Sequence, residues 1–249
     1  MKMISIKTTN GKDLRTIFSG ISTLAPELEI EFDDIGMKAS TMATGNISAI
    51  FFRILKLNFS EYTFEAGDKV IIRLQDICDI LKLLKDDDIL ELKTSSGNAK
   101  LFVYIHGKKE KDYEIPLLIE SNLNKPPRDK IENLVFSVNV FTEEFKECMD
   151  AATVIGKEKN VSFLNEKNIL YLTKTDVTRK SRVQLSPSKE EGKLLSRYNS
   201  DYIYKFLASG TGCEHTLIKF GTDLPLHVEF VKQDKFKIWF FLGPIVDNN

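Results

Sequence analysis

The stretch Asp112-Tyr113-Glu114-Ile115-Pro116-Leu117-Leu118-Ile119-Glu120-Ser121-Asn122-Leu123-Asn124-Lys125-Pro126-Pro127-Arg128 stands almost midway along a chain of 249 residues. It begins as an alternating strand, loses its period near Glu120 and ends in a proline pair. A residue that precedes proline is driven toward extended geometry, so the spacing predicts an extended, non-helical end at residues 124–128. A flexible spacer is rich in Gly and Ser. This one instead carries apolar Leu118, Ile119 and Leu123, which a mere spacer does not need. The segments on either side read as two copies of one plan.

On the N-terminal side, Met3–Thr8 alternates as a strand, and Asn10 or Gly11 opens a helix. Leu14, Ile17, Phe18 and Ile21 form one apolar stripe at helical spacing, with Lys12, Thr16, Ser19 and Thr23 opposite and Arg15 beside them. Pro26 stops the helix. Leu28, Ile30 and Phe32 alternate with Glu29 and Glu31 as a half-buried strand. The Asp33-Asp34-Ile35-Gly36 turn leads to a return strand, Met37–Met42, and a loop runs from Ala43 to Asn46. Further strands are predicted at Ile47–Leu55 and near Phe64 and Val70–Leu74. A second helix, Leu74–Lys85, buries Ile77, Ile80, Leu81 and Leu84, and the strands Ile89–Lys93, Lys100–His106 and Lys111–Leu117 follow.

The order then repeats. Leu134–Val140 is a strand, and Thr142 is a good N-cap for a helix that buries Phe145, Cys148, Met149 and Ala152. Strands are expected at Val161–Leu164, Asn168–Lys174, Arg179–Leu185 and Leu194–Arg197. Asn199 or Ser200 caps a fourth helix burying Ile203, Phe206 and Leu207, and Leu217–Phe220, Leu226–Val231 and Phe236–Leu242 close the chain. A shift of 131 carries Leu14, Ile17, Phe18 and Ile21 onto Phe145, Cys148, Met149 and Ala152. A shift of 126 carries Ile77, Ile80 and Leu81 onto Ile203, Phe206 and Leu207. The repeat is one of pattern rather than identity, and it organises the whole fold. Four amphipathic helices among runs of strands predict an α+β protein of two similar domains, antiparallel sheets outside and four helices on the inner face. The expected limits are residues 1–117, a connector over 118–134, and 135–249.

A hydrophobic content of 42% and a charged content of 29% are those of a globular protein. The net charge of −1 excludes attachment to nucleic acid by bulk charge alone, though not a local basic face. Three dispersed cysteines, Cys78, Cys148 and Cys213, argue against a disulfide framework. Cys213 and His215 lack the further ligands of a tetrahedral zinc site, and no metal or cofactor is expected. The N-terminus has no long apolar core, so no signal peptide is expected. The longest apolar run, around residues 238–242, is too short to span a membrane.

The two-fold plan, the Asp112-Tyr113-Glu114-Ile115 entry to the connector, and Leu224-Pro225-Leu226 with Phe240-Phe241-Leu242-Gly243-Pro244 resemble the DNA sliding clamp family of archaea and eukaryotes, proliferating cell nuclear antigen. The resemblance covers nearly the whole chain. It implies a trimeric ring with helices lining a channel around duplex DNA, bound without sequence preference, and no catalysis. It also implies clients (DNA polymerase, clamp loader, flap endonuclease, DNA ligase) that dock short peptides under the connector. By position, the peptide pocket would use Met42, Ile47, Leu118, Ile119, Leu123, Pro126, Pro225, Phe241, Leu242, Gly243 and Pro244. Ring closure would pair the edge strands Lys111–Leu117 and Val177–Leu185 through Lys111, Tyr113, Ile115, Arg179, Arg182 and Val183. The DNA-facing cations would be Lys12, Arg15, Lys82, Lys146 and Lys205. The resemblance places the protein with the DNA: cytoplasmic for an archaeal source, nuclear for a eukaryotic one.

The chain departs from the family pattern at Ala43, where Asp is usual, at Asn46 and at Gly243. Its third helix carries Glu143, Glu147 and Asp150 on the expected channel face. Few phosphate-neutralising cations mean weak binding, which suits sliding, or a subunit whose partners in a mixed or checkpoint-type ring supply more positive charge. A different class, a metal-dependent nuclease using Asp86-Asp87-Asp88 or Asp33-Asp34, has paired carboxylates in its favour. Those runs fall at a helix end and in a turn, where solvated Asp is ordinary.

Overall fold

The computed structural model describes residues 3–95, 97, 99–119, 123–126, 134–189 and 192–246. The expected course of Glu120–Asn122, Pro127, Arg128 and the final Asp247–Asn249 lies outside these residues. The chain divides into two compact units. One comprises Met1–Asn46, Ile50–Pro126 and Gln233–Ile238; the other comprises Ile47–Ala49, Pro127–Lys232 and Trp239–Asn249.

The first unit runs β1 (Ser5–Thr8), α1 (Gly11–Ser22), β2 (Glu27–Asp33), β3 (Gly36–Met42), β4 (Ser48–Leu55), β5 (Glu61–Thr63), β6 (Lys69–Arg73), α2 (Leu74–Leu81), β7 (Ile89–Thr94), β8 (Lys100–His106) and β9 (Lys111–Pro116). Its strands lie in the orders β5-β1-β7-β8-β9 and β4-β3-β2-β6. The predicted stripe of α1 is the buried one: Leu14, Ile17, Phe18 and Ile21 are all in the core. Phe18 meets Phe52 of β4 edge-on, ring centroids 6.1 Å apart. At the β2–β3 turn, Gly36 has φ +149°, and a Cβ there would strike the Ile54 carbonyl oxygen, so glycine is required. Asp33 closes the same turn. Burial raises its carboxyl pKa, but hydrogen bonds from Arg53, Lys38 and the Gly36 amide outweigh this and hold it well below the usual carboxylate range.

The second unit runs β10 (Phe136–Phe141), α3 (Thr142–Thr153), β11 (Asn160–Glu166), β12 (Ile169–Thr175), β13 (Lys180–Pro187), β14 (Leu194–Asn199), α4 (Ser200–Ser209), β15 (His215–Phe220), β16 (Leu226–Lys232) and β17 (Phe236–Leu242). Here the orders are β13-β12-β11-β14 and β10-β15-β16-β17, all paired neighbours being antiparallel where their register is known. Its core is aromatic. Phe163 touches Phe145, Tyr198 and Phe220 at 6.2, 5.5 and 5.8 Å, and Phe206 of α4 stacks on Phe240 of β17 at 4.3 Å. The repeat holds at the level of elements. The shift of 131 carries Gly11–Ser22 onto Thr142–Thr153, and the shift of 126 carries the start of α2 at Leu74 onto the start of α4 at Ser200.

Several local expectations need correction. The second helix ends at Leu81 rather than Lys85, because the chain tightens there: the Leu83 and Leu84 amides bond three residues back, to Ile80 and Leu81. Leu84 stays buried all the same. Thr142 is the first helical residue of α3, not its N-cap; its hydroxyl is shared with Thr216 at 2.9 Å. Cys148 is half-buried rather than core, its thiol facing the Gln184 carbonyl at 3.5 Å. Asn199 does cap α4, accepting from the Asp201 amide at 3.0 Å. Glu29, expected on the solvated side of β2, is buried, for a reason given below.

The turn from β8 to the edge strand β9 is held by His106. Nε2 lies 2.8 Å from Glu91 of β7, and Nδ1 lies 2.6 Å from Glu110. These two hydrogen bonds, Glu91's first, raise the imidazole above its ordinary pKa of about 6.5. A raised folded-state value means that the contribution is complete below pH about 6.5 and is lost as pH rises through the folded value. The side chain is about one-third exposed, so the expected loss is no more than about 1 kcal/mol. Thermal midpoints should therefore decline over the neutral-to-alkaline range, and His106→Gln should flatten that decline. Parallel profiles for the two proteins would refute the assignment.

Candidate functional site

The described parts of the connector lie across one sheet of the first unit. Leu117 donates to the Ala99 carbonyl at 3.0 Å, and Leu118 bridges to Ile71 of β6, its amide donating at 2.9 Å. Further on, the Asn124 carbonyl accepts from the Met42 amide at the end of β3 at 3.0 Å, and the Asn124 side chain donates to Asn46 at 3.1 Å. β6 and β3 lie on opposite sides of β2, so the described pieces of this strap, residues 118–119 and 123–126, are anchored on either side of that strand. Leu118, Leu123 and Met42 are half-buried, Ile119 is 92% exposed, and Pro126 is buried. An isoleucine so exposed gains nothing from folding and is available to a partner.

In the second unit, the Ile47 carbonyl accepts from the Gly243 amide at 2.8 Å, and the Ile245 amide donates to Arg197 at 2.7 Å. Ile47 itself is 46% exposed. Pro225, Gly243 and Pro244 are half-buried, and Tyr198 fixes the approach to Pro225 by donating to the Leu224 carbonyl at 2.8 Å. Phe241 is half-buried and leans on His227, ring centroids 4.6 Å apart. Sequence reading missed His227, and nothing in its spacing marks it; it is found because β16 and β17 are neighbours. Leu242, by contrast, is 1% exposed, so its side chain belongs to the core of its unit.

β9 is an edge of the five-stranded sheet, and β13 an edge of the four-stranded one. Unpaired edges are templates for another chain. Tyr113 and Val183 are half-buried, whereas Ile115 is buried and offers the edge only its backbone. Most edge charges are already engaged inside the chain. Lys111 lies 3.8 Å from Asp88, and Glu114 lies 2.5 Å from Lys100. Arg179 lies 3.1 Å from Asp176, and Arg182 lies 2.9 Å from Glu166. Arg182 also covers the Tyr171 ring at 3.8 Å. Asp112 and Lys180 make no ion pair among the described residues. Arg179 itself lies in the turn before β13, which begins at Lys180.

The helix cations are similarly committed. Lys12 pairs with Asp86, Lys82 with Asp79 at 2.6 Å, and Lys205 lies 5.4 Å from the Tyr202 ring centroid. Arg15 and Lys146 make no ion pair among the described residues. On α3, Glu143, Glu144, Glu147 and Asp150 are all exposed.

Two carboxylates of the nuclease reading, Asp88 and Asp33, are committed to structure. Asp88 is buried, accepts from the Lys85 amide at 3.0 Å and packs against Gly107, where a Cβ would collide with it. Asp33 is held by Arg53. Among the described residues no three His, Cys, Asp or Glu side chains converge as metal ligands. No helix among them is long and apolar enough to cross a membrane.

Two like units of helices and antiparallel sheets, a strap on the first and edge strands in each, β9 and β13 among them, are the features to be matched. The family model described as proliferating cell nuclear antigen, N-terminal domain, matches residues 3–123. The DNA polymerase sliding clamp of Nanoarchaeum equitans is 26% identical, covering 96% of this chain and 98% of its own length. The PCNA2–PCNA3 complex of Sulfolobus tokodaii contains a chain of TM-score 0.86 at 23% identity, covering 96% of this chain and 98% of that one. A. fulgidus PCNA bound to the C-terminal region of FEN-1 has TM-score 0.86 at 23% identity, covering 99% and 100%. Residues 3–123 belong to the proliferating cell nuclear antigen family by its N-terminal-domain model, and over nearly its whole length the chain is similar to DNA polymerase sliding clamps.

Proposed function

We propose that the chain is a DNA polymerase sliding clamp, without catalysis of its own. Three subunits close a ring around duplex DNA, and client enzymes dock peptides beneath the connector. The proposed limits are residues 1–117, 118–134 and 135–249, and the protein works where the DNA is, in the cytoplasm of an archaeal-type cell. The observation that carries this reading is that β9 and β13, one in each of two like units, are both edge strands. A head-to-tail contact between unlike edges closes a ring when its rotation closes.

The client site is assigned to Met42, Ile47, Leu118, Ile119, Leu123, Pro225, Phe241, Gly243 and Pro244. Leu242 and Pro126 support it from the core. Tyr113, Val183, Lys111, Arg179, Arg182 and the Ile115 backbone form the subunit edges. Among the clients that the resemblance implies (polymerase, clamp loader, flap endonuclease, ligase), the flap endonuclease is supported by the likeness to a clamp solved with the C-terminal region of FEN-1. DNA contact through Lys12, Arg15, Lys82, Lys146 and Lys205 is weak on this reading, because the cations are few and Lys12, Lys82 and Lys205 must leave partners within the chain to meet a phosphate.

A second reading, a mixed ring, has two observations behind it: the exposed acidic face of α3 and the likeness to the PCNA2–PCNA3 complex. Light scattering over a dilution series separates the two: three times the monomer mass means a self-sufficient ring, and a monomer or dimer means missing partners. The function itself is tested by topology. Loaded with a clamp loader and ATP, a ring stays on a nicked circular plasmid through gel filtration and slides off once the plasmid is cut. Equal retention on circular and linear DNA would defeat the reading.

A further inference from the structure

The strap is tied down by a charge as well as by its backbone. Glu29 of β2 is buried, with its side chain 9% exposed. Lys69 of β6 donates to Oε2 at 3.0 Å. Oε1 has no in-line hydrogen bond and meets Lys125 of the strap as an ion pair at 2.6 Å. The same ammonium reaches Glu31 at 3.4 Å. Burial raises the Glu29 pKa, and the two lysines more than reverse it, so the carboxyl lies below its ordinary value. A buried carboxylate needs such partners. Lys69 belongs to the sheet itself and holds Glu29 whatever the strap does. Lys125 is the partner whose position depends on the connector. It follows Asn124, whose carbonyl holds the Met42 amide.

We infer that Glu29 and Lys125 form a latch that positions the Leu123–Pro126 part of the connector against β2 and β3, and so presets the client-peptide site. The inference rests on the function proposed above. Glu29 and Lys125 are positioning residues: they set where Leu123 and Met42 lie without touching the client. A preset connector spares the peptide the entropy of ordering it. Release of the latch therefore costs affinity at a distance.

The test compares Lys125→Ala, Lys125→Arg and Lys69→Ala in the full chain. Two readouts are used: anisotropy of a labelled C-terminal peptide of A. fulgidus FEN-1, and amide hydrogen exchange at Met42. Lys125→Ala is expected to weaken the peptide at least about fivefold, the low end of coupling between sites, and to speed exchange at Met42. Lys125→Arg keeps both near wild type. Lys69→Ala removes the other cation from the same carboxylate, and it too leaves both readouts unchanged. If Lys69→Ala acts like Lys125→Ala, charge balance in the sheet is responsible and the latch is wrong. Wild-type values of both readouts in Lys125→Ala overturn it as well. A wild-type chain that ignores the peptide sinks the client-site reading, and Met42 exchange then decides the latch alone.

Discussion

Phe241→Ala is expected to weaken binding of a client peptide by roughly 30-fold or more while leaving the subunit assembly and the thermal midpoint nearly unchanged. Along β17 the side chains alternate: Phe240 and Leu242 are buried, and Phe241 between them is half-buried on the other face. Truncating it leaves the core stack of Phe206 on Phe240 intact. What is lost is an aromatic platform braced by His227. Anchors of this type are worth about 2 kcal/mol or more at an interface, which is the stated factor in affinity. Titration of the FEN-1 C-terminal peptide by calorimetry checks it. Binding within about twofold of wild type would remove Phe241 from the site, and a large fall in melting temperature would make the effect one of folding.

The converse result is expected at Phe206. It is fully buried on α4, stacked on Phe240 with an interplanar angle of 13°. Phe206→Ala should cost about 3–5 kcal/mol, because the transfer of the ring and the cavity it leaves add together. That is a large part of the 5–15 kcal/mol that typically holds a domain folded. By differential scanning calorimetry the second unit should melt on the order of 10 °C lower. A shift of only a degree or two would mean that the stack closes over the gap or that α4 does not depend on it. Client binding, measured well below the new midpoint, should be little affected, the opposite of Phe241→Ala.

Much of the fold was legible in sequence because its signal is local. A helix that must bury Leu14, Ile17, Phe18 and Ile21 writes a 3.6-residue period, and the same period 131 residues later marks its counterpart. Strands such as Leu101, Val103 and Ile105 write a period of two, and all three are buried as expected. Ends were less legible. The stop at Leu81 is a tightening of the next turn, where the Leu83 and Leu84 amides bond three residues back, and no apolar period marks it. Thr142 has the chemistry of an N-cap, but Thr216 of a strand distant in sequence takes its hydroxyl.

The candidate site divides the same way. Sequence by itself determined that the chain is a two-fold α+β repeat, that its connector is apolar, and that the third helix is acidic. These follow from composition and spacing, which need no knowledge of neighbours. Which side chains are free to act was decided only by tertiary structure. Arg182 reads as an edge charge available to a partner strand, yet it already faces Glu166 within its own sheet. Leu242 reads as a pocket residue and is core, while His227 reads as nothing and braces Phe241. Glu29 alternates like a solvated residue, but Lys69 and Lys125, 40 and 96 positions away, make its burial affordable. Burial and ion pairing depend on groups that chain topology brings together, so no local pattern can report them.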